Sequence, residues 1–321
     1  MARVFVTCRV FPEEIDRLRA AGHSVVMREL PGPIGCQELL DGVRTADALI
    51  CLLSDRIDAA VMEAGGRLVI IANLGVGYDN IDVSTATARR IVVTNTPGAL
   101  TETTADLTFA LLLAAARRIV EADAYTRAGS FRGWELLQPH LGLDVHGQTL
   151  GIVGMGRIGT AVARRGHCGF DMPILYHNRH RNEDAERELG ATYVPFSELL
   201  ESSDFVSIHA PLSQATRHLF DRDAFRRMKR TAILVNVARG PVVDEEALVW
   251  ALEEGEIAGA ALDVYEQEPK VHPRLTALHE RVVLAPHIGS ATTETRRGLA
   301  RIAVTNVLAV LEGESAPNAV S

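Results

Sequence analysis

The chain has 321 residues, 47% of them hydrophobic, and a formal net charge of −8. That length suits two domains rather than one, and that apolar content excludes general disorder. The acidic balance, with Lys and Arg spread among the acids, argues against a nucleic-acid partner or an anionic membrane surface.

No transmembrane run or signal peptide is expected. The apolar stretch Leu107–Ala116 is too short to span a bilayer, and the N-terminus reads at once as a strand. Cys8, Cys36, Cys51 and Cys168 are scattered without metal-ligand spacing. They read as free thiols in a reducing cytoplasm, and no metal is expected.

Residues 3–97 alternate short apolar runs with helical patterns. Strands are expected at Arg3–Thr7, Ser24–Met27, Ala48–Leu53, Leu68–Leu74 and Ile91–Thr94. Helices are expected at Glu13–Ala21, Cys36–Val43, Ile57–Ala64 and Val83–Arg89. This rhythm implies a parallel sheet covered on both faces. Pro97-Gly98 breaks it. One long helical pattern follows, from Thr103 to about Arg127, with Leu107, Ala110, Leu111 and Ala114 at helical spacing. Its length suits a helix joining two domains. Residues 128–148, with Gly129, Gly133, Pro139, Gly142 and Gly147, read as an arm or loop.

A second rhythm begins at Thr149. Its strands are expected at Leu150–Val153, Ile174–His177, Phe205–His209, Ala232–Asn236, Gly259–Val264 and Val282–Ala285. Six strands is the count of a complete dinucleotide-binding sheet. Helices fall between them, including Glu183–Glu188, Asp221–Met228 and Glu245–Glu253. A last helical pattern, Thr293–Leu311, is placed to return to the first domain. The expected architecture is therefore α/β, with two doubly wound parallel sheets. A smaller discontinuous domain takes 1–100 plus 291–321, and a nucleotide-binding domain takes 101–290.

The first chemical signal is Gly154-Met155-Gly156-Arg157-Ile158-Gly159, set between an apolar strand and a helix. Gly154 permits the tight turn, Gly156 lets backbone approach a pyrophosphate, and Gly159 lets helix pack on strand. Alone, the glycine pattern is weak, but its strand–helix setting favours dinucleotide binding over an ordinary turn. After the second strand of such a fold an acid usually binds the adenosine ribose. Here the stretch is Ile174-Leu-Tyr-His-Asn178-Arg179-His180-Arg181, with no acid at the strand end. Asn178 can donate to a 2′-phosphate and Arg179 can fork onto it, so NADP(H) is favoured and NAD(H) is the alternative.

Three later strands end in polar residues: Arg239 after Leu234-Val-Asn-Val-Ala, Glu266 and Glu268 after Leu262-Asp-Val-Tyr, and His287 after Val283-Leu-Ala-Pro. Ligands of doubly wound sheets bind at the carboxyl ends of strands. A guanidinium there grips a carboxylate, an imidazolium donates a proton, and a carboxylate orients the imidazole. Singly, each residue also reads as an ion pair, a helix-entry residue or an exposed loop acid.

These motifs together resemble the D-isomer-specific 2-hydroxyacid dehydrogenase family. They are Leu150-Gly-Ile-Val-Gly-Met-Gly-Arg-Ile-Gly159, Phe205-Val-Ser-Ile-His209-Ala-Pro211-Leu212, Met228-Lys-Arg-Thr-Ala-Ile-Leu-Val-Asn-Val-Ala-Arg-Gly240 and Pro286-His-Ile-Gly289. Tyr176-His-Asn-Arg179 and Asn73-Leu-Gly-Val-Gly-Tyr-Asp-Asn-Ile-Asp82 are most similar to its glyoxylate/hydroxypyruvate reductases. The resemblance implies a Rossmann cofactor domain, a flavodoxin-like substrate domain and a homodimer paired through an arm at about 103–148 that holds Trp134. It implies that Arg239 binds the substrate carboxylate and keto oxygen, that His287 is the acid/base, and that Glu268 is its partner. It also implies substrate contacts from Leu53, Ser54, Gly75, Val76 and Gly77. Cofactor contacts would come from Thr104, the loop 154–159, His209, Pro211, Thr216, Val237, Ala238, Asp263, His287 and Gly289. The implied activity is reduction of a small 2-keto acid by NADPH to the D-2-hydroxy acid. No regulatory domain is expected after Ser321, which weakens a long-form phosphoglycerate dehydrogenase and leaves short forms open. Two rivals stay open: a dehydrogenase for phosphoglycerate or a bulkier 2-keto acid, and a non-catalytic nucleotide-sensing protein like the corepressors built on this fold.

Overall fold

The computed structural model describes residues 1–320. In chain order the first stretch holds β1 (Arg3–Val6), α1 (Pro12–Ala20), β2 (Ser24–Met27), α2 (Cys36–Val43), β3 (Ala48–Cys51), α3 (Ala59–Ala64), β4 (Ile70–Asn73), α4 (Val83–Ala88) and β5 (Val92–Thr94). Then come α5 (Thr101–Ala116), α6 (Ile119–Arg127), β6 (Leu150–Val153), α7 (Arg157–Phe170), β7 (Ile174–His177), α8 (Glu183–Leu189), β8 (Thr192–Tyr193), α9 (Phe196–Ser202) and β9 (Phe205–Ile208). The rest is α10 (Arg222–Arg227), β10 (Ile233–Asn236), α11 (Glu245–Glu253), β11 (Gly259–Leu262), α12 (Pro273–Ala277), β12 (Val282–Leu284) and α13 (Thr293–Leu311). Contacts divide the chain into two compact units: Met1–Leu100, resumed from Ala291 onward, and Thr101–Ser290.

The first unit is a parallel sheet of order β2-β1-β3-β4-β5, the flavodoxin-like order. Its central strands β3 and β4 are buried along their whole length because both faces are covered, whereas the edge strand β2 alternates exposed and half-buried residues. Val4, Val6, Ala48, Ile50, Ile70 and Ala72 turn to one face, against Ile15 and Leu18 of α1 and Leu299, Ala303 and Val307 of α13. Phe5, Leu49, Cys51 and Ile71 turn to the other, against Leu39, Val43, Val61 and Met62. The alternation is the two-residue period of a strand.

The second unit is a parallel sheet of order β12-β11-β10-β9-β6-β7-β8. Leu150, Ile152, Tyr176, Ile233 and Val235 pack with Ala105, Phe109 and Leu112 of α5 and Ala161 and Val162 of α7. Val153, Val206, Ile208, Leu234 and Leu262 pack on the opposite side with Leu248 and Leu252 of α11. The chain order reverses direction across the sheet at β6 and β9, so the carboxyl ends there form the switch point where such sheets bind ligands.

Several expected elements differ. The helical pattern 103–127 is two helices, broken at Arg118 in the left-handed region (φ 52°). The carbonyl of Ala116 is taken by the Leu143 N–H at 2.8 Å, so the helical ladder stops there. The segment 103–148 is divided accordingly. α5 belongs to the core, whereas α6 buries no residue and Phe131, Trp134, Leu136 and Leu137 are exposed. The second sheet has seven strands rather than six, because Thr192–Tyr193 adds a short edge beside β7. The glycine-containing stretch 165–170 continues α7, which Asp171 ends in the left-handed region (φ 51°). α9 and α12 are further helices absent from the sequence reading.

Candidate active site

Within the second unit the glycine loop joins β6 to α7. Gly154 has φ +101°, and a Cβ there would lie 2.5 Å from the Ala210 nitrogen. A Cβ on Gly159 would lie 2.2 Å from the Gly154 oxygen, so both positions demand glycine by close approach. Gly156 differs: a Cβ there meets nothing within 4 Å, and it starts α7 without a side-chain cap. An uncapped N-terminus of a fourteen-residue helix, with open space over its glycine, fits the pyrophosphate of a dinucleotide. Replacing Gly154 with Ala is expected to cost about 1–3 kcal/mol of stability and to raise the KM for the dinucleotide. Thermal unfolding with and without NADPH reads both effects.

Asn182 braces this loop. Its Nδ2 donates to Met155 O at 2.9 Å, and its Oδ1 accepts from Ala185 N at 3.1 Å to cap α8. At the end of β7, Arg181 is committed to Glu186 through two hydrogen bonds, while Glu186 also accepts from Tyr176 Oη. Asn178 is half-buried, and its carbonyl accepts from Tyr193 Oη at 3.3 Å. Arg179 is exposed and has no ion pair among the described residues. After β9, His209 is half-buried, with Nε2 2.8 Å from Ser207 Oγ. Burial pushes it down to about 3, so the ring is neutral, and its Nδ1 has no partner among the described residues. Thr216 Oγ1 donates to Pro211 O at 2.6 Å and accepts from Ser213 N at 2.8 Å, which folds the loop after β9 on itself.

The loops after β10, β11 and β12 carry the three polar residues expected there. Val237 is buried, and Ala238 N donates to Asn236 Oδ1 at 3.1 Å. Asn236 Nδ2 donates to Arg239 O at 3.0 Å, and Arg239 Nη1 to Ala238 O at 2.8 Å. His287 Nδ1 lies 2.8 Å from Glu268 Oε2, and Glu268 Oε1 accepts from Tyr265 N at 3.0 Å. Burial pushes the Glu268 carboxyl up. The His287 hydrogen bond and charge, the Tyr265 N–H and the Arg239 charge outweigh it and hold Glu268 below the ordinary carboxylate range. The three side chains therefore share one electrostatic environment.

The backbone beneath His287 is fixed by Asp263, which is buried at the end of β11. Its two oxygens accept from Ile288 N at 2.7 Å and Gly289 N at 2.8 Å. His287 N donates to the Asp263 carbonyl at 2.9 Å, and Thr104 Oγ1 donates to Gly289 O at 3.1 Å. His287 itself sits in the left-handed region (φ 54°), a conformation that persists where surrounding bonds enforce it. Thr104, Asp263 and Gly289 thus form one brace behind the imidazole. Burial holds the Asp263 carboxyl above its usual range even against those N–H donors and the charge of His287.

In the first unit, the loop after β4 presents a second arrangement. Its carbonyls face inward: Gly75 O accepts from Thr96 N at 3.0 Å, Val76 O from Asn95 Nδ2 at 2.8 Å, and Gly77 O from Asn73 Nδ2 at 2.7 Å. Among the described residues the N–H groups of Gly75, Val76 and Gly77 have no protein acceptor. Leu53 and Ser54 lie on the loop after β3, which Asp55 Oδ2 caps at Leu52 N (2.8 Å) and Asn80 Nδ2 holds at Leu52 O and Asp55 O. Asn95 and Asn182 escaped the sequence reading, and Asn73 and Asn80 entered it only within a family motif, with no role assigned. Their only signal is a side-chain amide beside a strand end or a glycine loop.

No helix among the described residues is long and apolar enough to cross a membrane. Among the same residues no group of His, Cys, Asp and Glu is arranged to hold a metal ion.

Comparison with known proteins bears on this geometry. Residues 109–289 match the family model described as D-isomer specific 2-hydroxyacid dehydrogenase, NAD binding domain. A glyoxylate reductase from Korarchaeum cryptofilum is 52% identical over 320 residues, covering 99% of this chain and 96% of that protein. The crystal structure of the TT0316 protein from Thermus thermophilus is 47% identical with a TM-score of 0.92, covering 99% of this chain and 100% of that one. An NADPH-dependent glyoxylate/hydroxypyruvate reductase from Sinorhizobium meliloti, solved with NADP and malonate, is 35% identical with a TM-score of 0.86, covering 100% and 97%. With a nucleotide loop, an Arg/Glu/His set on three strand ends and full-length relatives of this kind, the chain belongs to the D-isomer-specific 2-hydroxyacid dehydrogenases, a family of NAD(P)-dependent oxidoreductases.

Proposed function

We propose that the protein reduces glyoxylate or hydroxypyruvate to the D-2-hydroxy acid with NADPH, and that His287 is the proton donor. One observation carries the reading: the imidazole of His287 is held 2.8 Å from a carboxylate on which the Arg239 charge also acts. A reduced nicotinamide bound at the glycine loop supplies the hydride. Arg239 offers parallel N–H donors to the substrate carboxylate and keto oxygen. Glu268 accepts from Nδ1 of His287, so Nε2 carries the proton that passes to the forming alkoxide. The outward N–H groups of loop 75–77 are, by the same chemistry, a carboxylate seat, with Leu53 and Ser54 beside it in the substrate domain. Thr104, Asp263 and Gly289 serve the cofactor side by holding the His287 loop, and His209, Pro211, Thr216, Val237 and Ala238 line it.

NADPH is favoured because β7 ends without an acid and Arg179 stands unpaired there among the described residues. With Arg181 engaged by Glu186, Asn178 and Arg179 are left for a 2′-phosphate. Arg179→Ala is expected to raise the KM for NADPH about tenfold and to leave the KM for NADH unchanged. The exposed apolar side chains between α6 and β6 suit pairing of two copies as a homodimer, and the chain is read as cytoplasmic. The deciding experiment follows absorbance at 340 nm with NADPH and then NADH, against glyoxylate, hydroxypyruvate and pyruvate. Oxidation of NADPH by none of the three would remove the proposed activity.

A further inference from the structure

Glu266 stands two residues before Glu268 on the same loop and has an imidazole of its own. His218 Nε2 lies 2.7 Å from Glu266 Oε1, and both side chains are half-buried. A carboxylate only accepts, so Nε2 carries the hydrogen. The backbone around this contact is closely fitted. His218 is in the left-handed region (φ 51°) and its N–H donates to Pro241 O at 2.8 Å. Phe220 N donates to Val242 O at 3.1 Å. On the other side, a Cβ on Gly240 would fall 1.9 Å from the Tyr265 carbonyl and 2.4 Å from Glu266 N. The turn that carries Arg239 is therefore held between segments 218–220 and 265–266, and the His218–Glu266 contact ties those two segments together. Glu245 anchors the second of them from behind, with Oε1 accepting from Glu266 N at 2.7 Å.

We propose that His218 and Glu266 are a positioning pair for Arg239, fixing the turn from which its guanidinium reaches the 2-keto acid. This rests on the proposed role of Arg239 in gripping that substrate. Neither residue touches the reacting atoms, so losing the pair displaces the carboxylate grip and leaves the nucleotide loop as it was. The contact joins two segments and works as one unit, so removing either half has the effect of removing both.

The test compares wild type with His218→Ala, Glu266→Ala, the double variant and the near-isosteric Glu266→Gln. Each alanine variant is expected to raise the KM for glyoxylate, and the Ki of the dead-end analogue oxamate, about fivefold. The KM for NADPH stays unchanged. The double variant is expected to be no worse than the poorer single one, and Glu266→Gln, which keeps an acceptor for the imidazole, to recover most of the affinity. Folded variants with unaltered glyoxylate KM and oxamate Ki overturn the proposal, as do additive losses or a parallel rise in NADPH KM. Failure of every variant to fold, Glu266→Gln included, assigns the contact to the fold alone and overturns it too. Wild-type protein that fails to oxidise NADPH with any of the 2-keto acids takes the substrate reading and this proposal down together. An active wild type with unaltered variants takes down only the proposal.

Discussion

Asparagine at position 287 is expected to lower kcat for glyoxylate reduction by about a hundred- to ten-thousandfold, the range that general-acid catalysis spans. The KM for NADPH is expected to stay near the wild-type value. Asparagine is close in size and can still donate to Glu268, so the loop clamped by Asp263 and Thr104 has no cause to move. What asparagine lacks is a proton to give as the alkoxide forms. The loss therefore belongs in turnover, with affinity for the dinucleotide retained. A His287→Asn enzyme with near-normal turnover would falsify the assigned role.

The same pair sets a direction for pH. With His287 as the proposed proton donor, the reductive rate is expected to fall as pH rises. Stability follows the opposite limb. Glu268 has a folded-state value below its unfolded one. Its contribution is present above the ordinary carboxylate range and is lost as pH falls through the lowered folded value. The side chain is about one-third exposed, so solvent screening keeps the effect small.

How much of this was legible depends on whether the cause is local. The sheets are legible because buried parallel strands are unbroken apolar runs, as in Ala48–Cys51 or Leu150–Val153. The break at Arg118 is not, because the Leu143 N–H that takes the Ala116 carbonyl comes from far along the chain. The two-residue strand Thr192–Tyr193 is too short to show a period. In the site, Arg239, Glu268 and His287 are conspicuous because each ends an apolar run in a polar loop. Spacing alone does not say which glutamate faces which imidazole. The tertiary structure sets Glu268 against His287 and Glu266 against His218. The inward carbonyls of loop 75–77 are equally invisible, because the groups that hold them are Thr96, Asn95 and Asn73 from two strand ends.

Arg239→Gln is expected to reduce kcat/KM for glyoxylate by about 2–5 kcal/mol of transition-state binding, the cost of truncating one side of a hydrogen-bonded charge pair. Lysine is expected to recover only part of it. An ammonium restores the charge but not two parallel N–H donors in a plane, and a carboxylate beside a keto group presents its oxygens in a plane. The two substitutions also separate charge from geometry at Glu268. Arg239 contributes to holding that carboxyl low, so the glutamine variant lets it rise and the lysine variant holds it nearer its wild-type value. The acid limb of the rate profile is thus expected to shift to higher pH in Arg239→Gln and far less in Arg239→Lys, while both lose affinity for oxamate. Steady-state rates across pH, with oxamate inhibition measured on each variant, give both readings from one set of proteins. If Arg239→Lys binds oxamate as tightly as wild type, the fork geometry is not what grips the substrate, and Arg239 acts there as a point charge.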